Sequence, residues 1–161
     1  MSDDRTNGAA GARPWGWPWV TLCVVLALHV TDEALTNFLS IYNPTVRALR
    51  ERFGFLPLPT FTFEVWLSGL ALAVALLLAL SPFAFHAAKW MVPLSYFFGG
   101  LMFLNGLGHL AGSIYLRRIM PGAYSAPLLL AASIFLVVRV ARRAHLRRSA
   151  ISSEAGDKRH P

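Results

Sequence analysis

Four long runs of apolar residues constrain this chain more than any other feature. They cover about residues 19–39, 61–83, 90–116 and 124–140. Each run is close to the roughly 20 residues that an α-helix needs to cross a bilayer. In lipid, backbone polar groups have to be satisfied inside the protein, which favours helices for apolar runs of this length. The pattern therefore predicts an all-α fold, a polytopic transmembrane four-helix bundle.

The composition agrees with a membrane protein and disfavours a soluble or nucleic-acid-binding one. Hydrophobic residues make up 55% of the chain and charged residues only 14%, whereas about a quarter of a soluble domain is charged. Cys23 is the single cysteine, which excludes a disulfide framework or a thiolate metal cluster within one chain. Seven of the fifteen Lys and Arg residues lie from Arg139 onward. This concentration indicates topology, and no nucleic-acid partner is expected.

The remaining segments divide the chain into three regions. Residues 1–14 are polar and rich in Gly and Ala, which predicts a disordered N-terminal tail. Residues 15–145 are predicted to form the membrane domain. Within it, Pro44 is expected to break the first helix, and residues 44–53 are expected to form a helix on the membrane surface. Residues 146–161 are predicted to be a basic and polar C-terminal tail without fixed structure.

Four spans place both termini on the same side of the membrane. If that side is the cytoplasm, ten of the fifteen Lys and Arg residues lie there, as the positive-inside rule favours. Three arginines in the first loop reduce this excess. The short loops and the Ala- and Arg-rich composition favour a bacterial inner membrane, where membrane lipid is the expected partner. A homo-oligomer is compatible with this arrangement.

The third apolar run is rich in glycine. Gly108 and Gly112 lie four residues apart, so they fall on one face of a helix. Small residues at that spacing allow a neighbouring helix to approach closely in a membrane. The pair therefore predicts a helix-packing seam.

The first apolar run contains three ionisable residues, His29, Asp32 and Glu33. An ionisable side chain at membrane depth costs at least ~2.5–3.5 kcal/mol, so it indicates a functional site with partners on other helices. His29 and Glu33 share one helix face because they lie four residues apart, and Asn37 extends that face. Asp32 flanks the same face.

Depth along the helices identifies candidate partners. Asn105 and His109 share a face of the third run and reach the outer half of the bilayer, at the level of Glu33. Glu64 lies near the start of the second run, close to the same boundary. If these faces turn inward, they form one buried cluster, with the members His29, Asp32, Glu33, Glu64, Asn105 and His109.

The cluster has the composition of a metal site or of an acid–base site. Two imidazoles with carboxylates suit a divalent metal, Zn²⁺ or non-haem iron, with His29, Glu33 and His109 as ligands. For acid–base catalysis the candidate catalytic residues are Glu33, Asp32 and Glu64. Asn105 and Asn37 are expected to support these side chains by hydrogen bonding. The alternative is a buried hydrogen-bond network that holds the helices together without chemistry.

These motifs, in this order, resemble the HXXEE-motif membrane proteins. The resemblance rests on His29-x-x-Asp32-Glu33 in the first run, Glu64 in the second, Asn105-x-x-x-His109 in the third and Pro121-Gly122 before the fourth. It covers about residues 19–140 and implies an integral membrane protein without an assigned activity. Asp32 departs from the family pattern, which has Glu at this position, so its carboxylate is withdrawn by one methylene.

The predicted function is a membrane-embedded enzyme, metal-dependent or acid–base, acting on a lipid-like or small apolar substrate. One alternative is a proton- or cation-coupled transport subunit that uses the same side chains as a relay. Another is a structural or partner-binding membrane protein without catalysis. Each alternative uses the polar cluster differently, so the cluster's geometry is the feature that separates them.

Overall fold

A computed structural model describes residues 15–55 and 57–157, and the regular structure in this part of the chain is entirely helical. The helices are α1 (Gly16–Leu35), α2 (Leu39–Arg52), α3 (Phe63–Ala79), α4 (Ser81–Phe85), α5 (Met91–Tyr115) and α6 (Ala126–Asp157). The predicted all-α class is confirmed. The predicted disordered tail, residues 1–14, lies outside the described residues.

Among the residues that the structure describes, three helical segments are long and apolar enough to cross a membrane. They are Gly16–Leu35, Phe63–Phe85 and Met91–Tyr115. α6 differs from them because its apolar first half is followed in the same helix by basic residues, the first of which is Arg139. Length and composition thus support three of the four predicted spans, and the fourth stays a prediction.

α1 is the central helix of the fold. It packs against α3, α4, α5 and α6, and α5 packs most extensively against α6. The indole N–H of Trp19 donates to the carbonyl of Leu77 near the end of α3, at 2.9 Å. The indole N–H of Trp15 donates to the hydroxyl of Ser95 near the start of α5, at 3.1 Å. α3 is therefore antiparallel to α1, and α5 is parallel to it.

The first helix ends earlier than predicted, at a left-handed residue. Asn37 has a φ of 59°, and the N–H of Phe38 donates to the carbonyl of Glu33 at 3.0 Å. This is a Schellman-type helix end, in which the short polar side chain of Asn tolerates the left-handed conformation. The prediction of a break at Pro44 is wrong, because Pro44 lies inside α2, which already begins at Leu39.

The close approach between α5 and α6 occurs at Gly99 and Gly106, which are not the glycines predicted. A Cβ atom on Gly106 would lie 3.1 Å from the carbonyl oxygen of Ala126 in α6. Gly108 has nothing within 4 Å of such an atom, and Gly112 faces Met120 in the following loop. The predicted seam at Gly108 and Gly112 is wrong because spacing identifies a shared face but not the direction in which it points.

α6 continues beyond the apolar run that ends near Val140. It extends to Asp157, through the segment predicted to form a tail from residue 146. No Pro or Gly falls between residues 128 and 155, and Ala, Leu and Arg are good helix formers. The helix therefore does not end where the composition changes from apolar to basic.

Candidate metal centre

Three side chains from α1 and α5 converge in the interior. His29 and Glu33 lie one turn apart on α1, His109 lies on α5, and the three residues are 1%, 4% and 5% exposed. Glu33 Oε1 lies 3.6 Å from His29 Nε2 and 3.0 Å from His109 Nε2. One ligand atom from each residue lies within 4.8 Å of the other two. The structure thus brings together the three residues predicted as metal ligands.

A backbone carbonyl before α6 orients the ring of His109. Its Nδ1 lies 2.6 Å from the carbonyl oxygen of Pro121. Because a carbonyl oxygen only accepts hydrogen bonds, Nδ1 carries the proton and donates it. In the neutral ring the lone pair of Nε2 then faces Glu33. Metal-ligating histidines are commonly held in this way, with the other ring N–H donated to a carbonyl or carboxylate.

Asp32 orients His29 through Ser125 at the end of the same loop. Asp32 Oδ2 accepts from the backbone N–H of Ser125 at 2.9 Å and from its hydroxyl at 2.7 Å. We assign the hydroxyl proton to the charged carboxylate, since charge-assisted bonds are the stronger ones. Ser125 Oγ then accepts from Nδ1 of His29 at 2.8 Å. His29 Nε2 is left unprotonated, and it is buried without a hydrogen-bond partner.

With both imidazoles neutral and Glu33 ionised, three electron-rich atoms face one another: the two Nε2 atoms and Glu33 Oε1. Buried acceptors that meet without a donor are costly, so a cation between them would be stabilising. In a tetrahedral zinc site with bonds of 2.0–2.1 Å, ligand atoms lie about 3.3 Å apart. The distances from Glu33 Oε1, 3.0 Å and 3.6 Å, lie on either side of this value. The donor set suits Zn²⁺ or ferrous iron.

The Pro121-Gly122 turn closes one side of the cluster. The N–H of Ala123 donates to the carbonyl of Met120 at 3.0 Å, and Gly122 has a φ of 82°. Pro at the second position and left-handed Gly at the third are typical of a type II turn. A Cβ atom on Gly122 would lie 2.8 Å from the ring of His109 and 3.0 Å from Glu33 Cγ. Both the conformation and the space therefore favour glycine.

Sequence reasoning missed several residues that organise the cluster. Ser125 links Asp32 to His29, and the Pro121 carbonyl orients His109. Ser113 Oγ donates to the carbonyl of His109 at 2.7 Å and accepts from the N–H of Met120 at 3.0 Å, which ties the loop to α5. A serine opening the fourth apolar run, at the depth of the cluster, is a usable sequence signal. A backbone carbonyl gives no such signal, because every residue has one.

Two predicted site residues lie apart from the cluster. Glu64, in the first turn of α3, and Asn37, at the end of α1, are both exposed. Within the part of the chain that the structure describes, neither side chain forms a hydrogen bond or an ion pair. Glu64 occupies the N-terminal turn of a helix, where a carboxylate is favoured by the helix dipole. Asn37 contributes its backbone conformation, which ends α1.

Asn105 lies at the edge of the cluster, next to His29. Its Oδ1 atom is buried without a hydrogen-bond partner. Asn105 also lines a cavity that His29 and Glu33 share. The predicted supporting amide is therefore close to the cluster, with a free polar atom.

A large cavity opens beside the cluster, between α1, α3 and α5. Its volume of about 600 Å³ lies within the roughly 300–1,000 Å³ typical of small-molecule sites. His29, Glu33 and Asn105 form a polar end. The remaining wall is mainly apolar and includes Phe38, Trp66, Leu70, Ala73, Phe98 and Met102. A polar cluster thus meets an apolar pocket.

A comparison with protein families gives one match. The model described as "Protein of unknown function with HXXEE motif" matches residues 19–136. This range contains His29, Asp32, Glu33, His109 and Ser125. No curated protein and no solved structure matches the chain.

Proposed function

The chain belongs to the family of proteins of unknown function with the HXXEE motif, and we propose that it is a membrane-embedded metalloenzyme. His29, Glu33 and His109 hold one divalent ion in this proposal. The observation that carries it is the convergence of three buried ligand atoms, one of which, His29 Nε2, has no hydrogen-bond partner. Two histidines and one carboxylate are the ligand set of several zinc hydrolases and of non-haem iron oxygenases.

A hydrogen-bond network alone explains the cluster less completely. A second proton on His109 would pair its ring with Glu33 across 3.0 Å. With Nδ1 of His29 donating to Ser125, His29 Nε2 would still need a donor, which the amide of the neighbouring Asn105 would have to supply. A divalent ion satisfies all three atoms at once. Held by three protein ligands, such an ion would leave a position open to substrate, as in catalytic zinc sites.

The proposed setting is a four-helix bundle in a bacterial inner membrane, with both termini in the cytoplasm. α1, α3, α5 and the apolar half of α6 serve as its spans. The packing of α6 against α1 and α5 supports this, because its apolar half shares their surroundings. The cluster then lies in the outer half of the bilayer, and the basic segment from Arg139 reaches the cytoplasmic side.

The residues around the cluster have separate tasks in this proposal. Asp32, through Ser125, and the Pro121 carbonyl keep both imidazoles in the tautomer that presents Nε2. Asn105 offers an amide to a polar group of the substrate. The apolar wall excludes water and accepts a lipid-like or small apolar molecule. A divalent ion bound there supplies Lewis-acid chemistry at a substrate oxygen.

Metal analysis of the protein purified in detergent tests the proposal. Wild type incubated with Zn²⁺ or Fe²⁺ and then desalted is expected to retain about one ion per chain, as three convergent ligands imply. His109→Ala and Glu33→Gln are expected to retain none. His145→Ala is the matched control, because His145 is exposed on α6, away from the cluster.

Substitution with Co²⁺ adds a readout of geometry. A tetrahedral site is expected to give visible absorption bands in wild type and in His145→Ala, and none in His109→Ala. Wild type that retains neither zinc nor iron, or His109→Ala that retains as much as wild type, contradicts the proposal.

A further inference from the structure

The cavity beside the cluster continues to the outer surface of the helices. α3 and α5 both pack against α1 but make few contacts with each other among the described residues, and the cavity lies in the gap between them. Its wall includes Leu76, Phe97 and Leu101, which are 58%, 68% and 48% exposed. A helix surface of this kind faces lipid in a membrane protein. The gap is therefore a sideways opening toward the bilayer.

The cavity is long and has its polar groups at one end. Its wall follows α5 from Leu94 to Asn105 and α3 from Trp66 to Leu77, which at 1.5 Å per residue is about 16 Å in each case. This length is close to one leaflet of hydrocarbon, roughly half of the ~30 Å bilayer core. His29, Glu33 and Asn105 lie toward the Trp66 end, and the wall near Leu77 and Leu94 is apolar.

The net charge at the polar end of the cavity decides which kind of head group a ligand can place there. Glu33 is the only formally charged side chain in the described wall of the cavity. It offsets one of the two positive charges of a divalent ion, so a positive charge remains for an oxygen ligand. The amide of Asn105 supplies both a donor and an acceptor beside it. A carboxylate or carbonyl head group fits this end, and an ammonium group does not.

We propose that the cavity binds a single long apolar chain that ends in a carboxylate or carbonyl group and enters sideways from the bilayer between α3 and α5. The assignment rests on the proposed metal site, because the ion provides the positive charge for the head group. The chain lies along the apolar wall toward Leu77 and Leu94. The volume of about 600 Å³ and the narrow gap between two helices suit one chain.

A photoreactive palmitate with a diazirine at its chain end tests this in nanodiscs containing the full chain. Labelling is expected to be saturable by unlabelled palmitate and to map to peptides that contain Leu77 or Leu94. Ala73→Trp places an indole in the cavity wall and is expected to reduce labelling to background. Ala75→Trp is the matched control on the same helix, because Ala75 is exposed and lies outside the wall. It is expected to label like wild type.

A second variant covers the case in which Ala73→Trp does not fold. Leu101→Trp changes an exposed residue at the opening, so it is expected to slow labelling without affecting the core. Labelling that palmitate does not compete, or equal labelling of Ala73→Trp and Ala75→Trp in folded samples, overturns the proposal. So does an unchanged labelling rate in Leu101→Trp.

Metal content measured in the same samples separates this proposal from the metalloenzyme. Ala73→Trp is expected to keep the ion and lose the chain. Metal-free wild type with saturable labelling that depends on Ala73 overturns the metal site and the head-group assignment, and supports only the binding of an apolar chain in the cavity. Metal-loaded wild type without saturable labelling overturns the cavity assignment and supports the metal site.

Discussion

The two sides of α1 are packed in opposite ways. Toward α5 and α6, side chains are polar and directional, and His29, Ser125 and Asp32 form a continuous chain of hydrogen bonds. Toward α3, the contacts are apolar and leave a cavity of about 600 Å³. Trp66 is the only buried residue within α3. The side of α1 that faces α5 and α6, called the tight side below, holds the candidate ligand atoms in place. The side that faces α3, called the loose side, leaves room for a ligand.

The hydrogen bonds between α3 and the rest of the protein explain why the α3-facing side of α1 leaves a cavity. Trp19 bonds to the carbonyl of Leu77 near one end of the helix. At the other end, the amide of Asn43 bonds to both backbone groups of Phe61, at 2.9 Å and 3.1 Å. Between these points α3 is mostly apolar. In a membrane, lipid tails contact apolar side chains as favourably as another helix does, so apolar contacts alone hold α3 weakly against α1. α3 is thus held by hydrogen bonds at its ends and only by apolar contacts, such as those of Leu70 and Val74, in the middle.

Gly122→Ala is expected to have the largest effect, on the tight side. It should lower the free energy of unfolding by about 2–5 kcal/mol, since a left-handed alanine costs ~1–2 kcal/mol and overpacking ~1–3 kcal/mol. The new methyl group would overlap His109 and Glu33. Thermal unfolding in detergent measures the change. Gly108→Ala is the control, because nothing lies within 4 Å of its added carbon, and an equal loss in both variants would mean that the turn is not closely packed.

Ser125→Ala is expected to have an intermediate effect. It removes the acceptor for His29 Nδ1–H and a donor to Asp32, so affinity for Zn²⁺ should fall ~10–100-fold, as for other residues that orient ligands. Titration against a zinc chelator measures this. Ser133→Ala is the control, because Ser133 is also buried but bonds to the carbonyl of Leu129 in its own helix. Similar affinities in the two variants would show that Asp32 does not act through Ser125.

Leu76→Ala, on the loose side, is expected to have the smallest effect. Leu76 is 58% exposed, so its truncation should change the free energy of unfolding by less than ~0.5 kcal/mol. Leu129→Ala, at a fully buried position, is expected to cost on the order of 2 kcal/mol or more. The same unfolding assay compares them. Equal losses would remove the distinction between the two sides of α1.

Sequence reasoning succeeded where helix geometry alone decides the outcome. Spacing fixed the shared face of His29 and Glu33, and the rise per residue brought His109 to the same depth. It could not orient Glu64, which is exposed, because a residue in the first turn of a span has a predicted depth but no predicted direction. It also failed at the end of α1, where Asn37 adopts a left-handed conformation without a neighbouring Gly or Pro to signal it.

Assembly of the cluster depends on the order in which the chain is synthesised. His29 and Ser125 are separated by 96 positions, so α1 is synthesised long before the partners of His29 exist. Until the loop after α5 emerges, His29 and Glu33 have neither the Ser125 hydroxyl nor His109 beside them. The last helical hairpin thus completes the three-residue cluster, and in the proposed metalloenzyme an ion bound by all three residues would mark a chain whose last two helices are in place.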